Sequence, residues 1–283
     1  MTGVRVDYND WTQRFDVSPR ITGRYEIVPR FPKTTLKGGT GLFHQGPDLF
    51  DILLSDEHTE LRSQRAWQNS LGVEQMLGRN LTASVEGFFY LLDDLVSRSA
   101  DESGVVRYNN FGTGRIFGAE AMLRYENDER FFGWLSYTLS RSERTWAPGE
   151  PSELFYLDQT HILTVLGSYA LGRGWEFGAR FRYVTGNLYT PCFGSLYSST
   201  STSFLCISGA AYSERLPAFH QLDIRIDKRW QFSGWTLGAY LDLINAYNRV
   251  NPDFLGYNYD YSQSRPETAS LPIVPSFGIR AEF

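Results

Sequence analysis

Apolar and polar residues alternate with period two along almost the whole chain, and helical periodicity is weak almost everywhere. In one clear segment Trp175, Phe177, Ala179, Phe181 and Tyr183 share a side, opposite Glu176, Gly178, Arg180 and Arg182. In another, Leu222, Ile224, Ile226 and Trp230 oppose Asp223, Arg225, Asp227 and Arg229. About twelve strands follow, at 3–8, 19–28, 33–43, 66–77, 80–92, 114–126, 131–142, 159–171, 174–186, 218–230, 235–246 and 274–283. Most span about 9–13 residues, whereas a globular strand averages about 5–6. About 9–11 residues suffice to cross a bilayer at a tilt.

The connections alternate in length. Short ones fall at Val28–Pro32, Gly78-Arg79, Asn127–Arg130, Gly172-Arg173 and Gln231–Gly234, and long ones at 9–18, 44–65, 93–113, 143–158, 187–217 and 247–273. A globular sandwich has no reason to gather its long loops at one end, but a transmembrane β-barrel does. Trp and Tyr recur near strand ends (Tyr25, Trp67, Tyr169, Trp175, Trp230 and Trp235 among them), as aromatic girdles require. The polar faces carry charges of both signs, including Glu74, Glu86, Glu120, Asp223, Asp227, Asp242, Arg124, Arg180, Arg182, Arg225 and Arg229. Ion pairing in a lumen, or contact with a plug, accounts for them without catalysis. Closure into a barrel removes exposed strand edges.

Composition excludes several classes. No apolar run approaches the roughly 20 residues of a membrane helix. With 16% aromatic residues the chain is not disordered, and its net charge of −5 argues against a nucleic-acid partner. Two Cys make neither a disulfide scaffold nor a Cys-based zinc site. Met1–Tyr8 lacks the features of a signal peptide and reads as a strand already under way.

The C-terminal third resembles the end of a TonB-dependent outer-membrane receptor. The residues that carry the likeness are Leu241–Arg249, with an Asn245-x-x-Asn248-Arg249 strand end, then Tyr257-Asn258-Tyr259-Asp260-Tyr261, and Pro275-Ser276-Phe277-Gly278 leading to a terminal aromatic. Asp16–Arg20 and Thr35–Gly41 are similar to the mid-barrel of the same family, as are Leu71–Gln75 and Val85–Tyr90. The loop Phe43–Asp48 and the stretch Thr59–Ala66 depart from the family pattern. The resemblance implies an all-β, antiparallel transmembrane β-barrel. Residues 1–283 form one region, the C-terminal half of a roughly 22-stranded barrel, with plug domain, coupling box and signal peptide absent. A fragment, a split gene and a degenerate remnant all fit that expectation.

Within this frame Phe277, Ile279, Ala281 and Phe283 resemble the C-terminal signal read by the barrel-insertion machinery; the alternative is an edge strand that ends in Phe. Cys192 and Cys206 share the longest loop, and an oxidising compartment favours a disulfide there. Loop aromatics Trp146, Tyr156, Tyr189, Tyr197, Tyr257 and Tyr259 are candidates for ligand contact, alongside Phe155, Phe193 and Tyr261. Girdle and loop packing is the equal alternative. His44 and His58 share a predicted outer loop with Asp48, Asp51, Asp56, Glu57 and Glu60, which reads as a solvated acidic loop more readily than as a contact for a metal chelate. No motif for a resident cofactor or a catalytic site is present.

By the resemblance, the whole protein imports a scarce ligand, a siderophore, vitamin or saccharide, across the outer membrane. Its partners are membrane lipid and TonB, the latter through the plug. Competing readings are a stand-alone porin-like barrel, a barrel enzyme and a soluble β-rich binding module. The long strands weigh against the soluble module, and the sparse His against the enzyme.

Overall fold

The computed structural model describes residues 1–54, 61–100, 106–126, 130–267 and 270–283. In chain order the elements begin with β1 (Thr2–Asn9), β2 (Arg14–Val28), β3 (Thr34–Gln45) and the short helix α1 (Leu49–Leu54). Next come β4 (Gln64–Met76), β5 (Leu81–Ala100), β6 (Val106–Glu126), β7 (Phe131–Thr145) and β8 (Glu153–Leu154). β9 (His161–Gly172), β10 (Trp175–Val184), β11 (Leu188–Tyr189), β12 (Cys192–Ser198), β13 (Ser203–Ser208) and β14 (Glu214–Arg215) follow. The chain closes with β15 (Phe219–Phe232), β16 (Trp235–Ile244), β17 (Phe254–Tyr257), β18 (Ser264–Glu267) and β19 (Val274–Glu282).

One sheet runs β1-β2-β3-β4-β5-β6-β7-β9-β10-β15-β16-β19, with β8 added to β7. Each strand on the path therefore lies beside its predecessor in the chain or across one loop excursion, and its two ends, β1 and β19, are not neighbours. All twelve predicted strands are on this path.

Two expected long connections are corrected. The stretch 9–18 is a four-residue turn, in which the Asn9 side chain accepts from the Trp11 and Thr12 amides at 3.0 and 3.1 Å. The stretch 93–113 is mostly strand, because β5 and β6 extend to Ala100 and from Val106. Asp93-Asp94 reads as a break, yet Asp94 takes a left-handed φ of 53° and its carboxylate meets Arg65 at 2.7 Å. The strand resumes beyond it, where Ser97 donates to Asn109 at 2.6 Å. Polar residues with cross-strand partners continue a ladder that hydrophobic alternation alone would end.

The tight turns obey local chemistry. Between β9 and β10 both Arg173 and Gly174 have positive φ, 54° and 77°, the signature of the mirror-image turn that matches strand twist. A side chain at 174 would also strike the Arg229 carbonyl.

The chain divides into two compact units. In the first (1–76, 84–120 and 139–158) the buried apolar residues include Ile52, Leu61, Leu92 and Leu95. Its strands expose alternate apolar residues such as Val4, Val6, Phe15, Val17, Ile21, Tyr25 and Trp67. The opposite face carries the ion pairs Arg24–Glu74 and Lys37–Glu86, each at 2.8 Å. Near the end of β7, buried Glu143 is held by Arg115 and Arg141 at 2.5 and 2.6 Å.

The second unit (77–83, 121–138 and 159–283) repeats the scheme. Tyr169, Trp175, Phe177, Trp230 and Leu241 are exposed. Arg180 meets Asp223 at 2.6 Å, and Arg225 meets Asp227 at 2.8 Å and stacks over Tyr240 at 4.1 Å. Buried Val184, Leu188 and Leu216 lie at the loop end of this unit. In both units the strands thus leave alternate apolar residues exposed on one face. Water penalises that arrangement and a hydrocarbon surround rewards it.

Candidate functional site

The long loops of the second unit are built structures. Three side chains fix their base. Asn245, with a left-handed φ of 54°, is fully buried. Its amide nitrogen donates to the Arg249 and Leu271 carbonyls at 2.9 and 3.1 Å, and its oxygen accepts from the Arg249 amide at 2.8 Å. Asn248 accepts from the Ile273 amide at 3.0 Å. Asn251, also buried, pairs reciprocally with the backbone of His220 at 3.0 and 3.2 Å. The Asn-x-x-Asn-Arg strand end is therefore a clasp that joins the two ends of the 245–273 loop.

Two hairpins rise beyond this base. β12 and β13 pair antiparallel, with Leu196 opposite Leu205 and Tyr197 opposite Phe204. A Cys192–Cys206 disulfide joins their strands, with the two Cα atoms 5.8 Å apart. β17 and β18 pair from Phe254–Glu267 to Tyr257–Ser264. The tip of this second hairpin is held by polar side chains. Asn258 accepts from the Gln263 amide at 3.0 Å and donates to Ser262 at the same distance. Asp260 accepts from the amide and hydroxyl of Ser262, which hold its carboxyl below the usual carboxylate range. The Ser195 hydroxyl donates to the Asp260 carbonyl and ties one hairpin to the other.

Between the hairpins lies a cleft of about 720 Å³. Tyr197, Thr202, Ser203 and Phe204 line it from the first hairpin, and Tyr257, Asn258, Tyr259 and Tyr261 from the second. Phe204 sits at the centre of the rings. Tyr197 meets it edge-on at 5.3 Å between centroids, and Tyr259 does so at 5.8 Å. Tyr257 and Tyr261 pack at 5.6 Å. Tyr259 stays 81% exposed, so its ring is available at the mouth.

The structure thus brings Tyr197, Tyr257 and Tyr259 into one place. Tyr189 does not line the cleft. It sits in the β11–β14 pairing opposite Glu214 and donates to that carboxylate at 2.6 Å. This hydrogen bond, with desolvation behind it, pushes the phenol up to about 12. Trp146 and Tyr156 belong to the first unit, where Tyr156 packs on Phe155 at 4.6 Å and Arg144 stacks over Phe155 at 4.4 Å. Phe193 is exposed on β12 outside the cleft lining. Phe204, which alternation alone did not single out, is legible afterwards as one aromatic closing a Ser/Thr-rich tip, Ser198–Ser203.

His44 lies on β3 rather than in a loop, and its Nδ1 is 3.0 Å from the Ser18 hydroxyl. His58, Asp56, Glu57 and Glu60 lie outside the described residues. Phe277, Ile279, Ala281 and Phe283 share one face of the terminal segment. Phe283 stacks on Trp235 at 6.0 Å, and Trp235 on Phe232 at 4.5 Å.

The profile of the family described as "TonB dependent receptor-like, beta-barrel" matches residues 1–248. No curated protein sequence matches the chain. Among solved structures, the outer membrane transporter YddB of Escherichia coli is similar at a TM-score of 0.63 and 14% identity, over 99% of this chain and 42% of that one. The ferric enterobactin receptor PfeA of Pseudomonas aeruginosa, in a mutant form, gives 0.64 and 12%, with the same shares. The FrpB iron transporter of Neisseria meningitidis gives 0.58 and 15%, over 95% of this chain and 39% of that one. The chain therefore spans about two fifths of the length of these structures.

Proposed function

Because the chain belongs to the TonB-dependent receptor β-barrel family, we propose that it works as the wall and outer loops of an energy-coupled importer in the bacterial outer membrane. The carrying observation is the aromatic cleft between two braced hairpins in the long connections of the second unit. In this reading the loops capture a scarce ligand outside, the ion-paired faces line a watery interior, and the exposed apolar faces meet lipid. Coupling to TonB runs through a plug domain that occupies the lumen. The chain binds and positions the ligand and performs no chemistry on it. The face of Phe277, Ile279, Ala281 and Phe283 serves as the segment that the insertion machinery reads.

Closure is the physical requirement behind the proposal. An open edge in lipid leaves backbone groups unsatisfied at several kcal/mol each, and β1 and β19 are not paired with one another. The proposal therefore requires that each of these edges find a strand partner in the membrane. Outer-membrane fractions probed with an antibody to loop 247–273 test this. The expected result is a heat-modifiable band at roughly two to three times the 32.4 kDa of this chain. A heat-modifiable band near 32.4 kDa favours the porin-like barrel instead. Recovery in the soluble fraction overturns the membrane reading altogether.

A further inference from the structure

We infer that the cleft between the β12–β13 and β17–β18 hairpins takes a neutral saccharide. The inference rests on the receptor reading above and names the ligand class of that same site. Among the described residues no carboxylate, ammonium or guanidinium stands in the lining, which is built from tyrosine, phenylalanine, serine, threonine and asparagine. An anionic chelate is normally gripped by Arg or Lys forks, whose charge-assisted bonds offset the lost hydration. Two charged groups flank the lining: Asp260, between Tyr259 and Tyr261, accepts from the amide and hydroxyl of Ser262, and Arg265, opposite Gly256, is already paired with Glu267 at 3.0 Å. Neither offers an anion a free cationic partner, and a neutral guest needs none.

The rings supply the complementary half of the argument. Phe204, Tyr197 and Tyr259 present apolar surface in differently tilted planes. A sugar ring has a face of C–H groups that packs on such surfaces, and a rim of hydroxyls that needs partners. Among the described residues the phenol oxygens of Tyr197, Tyr257, Tyr259 and Tyr261 make no hydrogen bond. Ser203 and Thr202 add hydroxyls at the lip. Each phenol and hydroxyl both donates and accepts, as a polyhydroxylated guest requires. A purely apolar guest would leave these groups to water, and a cationic one would find no carboxylate in the lining. The volume of about 720 Å³ exceeds what one sugar ring fills, so an oligosaccharide suits it better than a monosaccharide.

The test is calorimetric titration of the intact detergent-solubilised receptor. The probes are α-1,4- and β-1,4-linked glucose hexasaccharides, a neutral mannan oligosaccharide, an anionic ferric tris-catecholate and a neutral ferric trihydroxamate. The expected result is binding of at least one neutral oligosaccharide. Phe204→Ala and Tyr259→Ala should each weaken it at least tenfold, and Tyr259→Phe, which keeps the ring, only a few-fold. Heat-modifiable mobility confirms that each variant folds. Binding of either ferric chelate with loss in Phe204→Ala keeps the cleft as the ligand site and overturns the saccharide. Failure of every neutral sugar overturns it too. Sugar binding untouched by both alanine variants overturns the location while leaving the receptor reading intact.

Discussion

The ammonium of Lys37 on β3 and the carboxylate of Glu86 on β5 meet at 2.8 Å across the intervening strand β4. Gly72 makes this possible: it pairs with Lys37 in the register, and a side chain there would meet the Val85 carbonyl at 2.8 Å and Glu86 Cβ at 2.9 Å. Gly72→Val therefore displaces β5 and parts the ion pair. The expected loss is about 1–3 kcal/mol of stability, read as a lower temperature for the loss of heat-modifiable mobility. An unchanged temperature would show that β5 yields freely at this point.

Asn245 makes three hydrogen bonds from a fully buried position. Asn245→Ala strands the Arg249 amide and two carbonyls, at a cost of about 1–3 kcal/mol. The loop 246–271 should then be cut faster by protease in intact cells while the barrel band persists. Equal cutting rates in variant and parent would refute the clasp.

Tyr189 gives a pH signature. Its hydrogen bond to Glu214 raises its folded pKa to about 12 from an ordinary value of 10. A raised pKa means that the pairing contributes fully below pH 10 and is lost as the pH climbs from 10 to about 12. Ultraviolet titration of tyrosinate should therefore show a late-ionising phenol that Glu214→Gln moves back toward the main group. A titration curve identical in that variant would place the late phenol elsewhere.

The bond between Cys192 and Cys206 staples the hairpin that carries Tyr197 and Phe204. Loop-closure entropy for such a ring is worth roughly 3 kcal/mol. Reduction, or Cys192→Ser with Cys206→Ser, should leave the barrel band intact and weaken ligand binding. Affinity that survives reduction would mean that the β12–β13 pairing holds the cleft by itself.

Much of the sheet was legible from periodicity, because a strand with apolar residues on one face and charge on the other has to alternate. The ends of β5 and β6 were not, since the ladder there runs on polar pairs such as Ser97–Asn109 that no hydrophobic pattern marks. For the site, position in the long connections pointed to Tyr197, Tyr257 and Tyr259 as loop aromatics. It could not show that they converge, because convergence depends on Ser195 reaching the Asp260 carbonyl, 65 positions away. It also grouped Tyr189 with them, although that phenol is committed to Glu214. Asn245 and Asn248 stood out as a motif, and their bonds explain it in terms of loop closure.

That clasp separates two kinds of sequence freedom. Asn245, Asn248 and Asn251 fasten the loop through main-chain partners at Arg249, Leu271, Ile273 and His220, none of which lies at the tip. The tip can therefore be exchanged, lengthened or given a foreign epitope while the registers of β15, β16 and β19 stay as they are. Residues 254–267 can thus change while the strands that hold the loop keep their pairing.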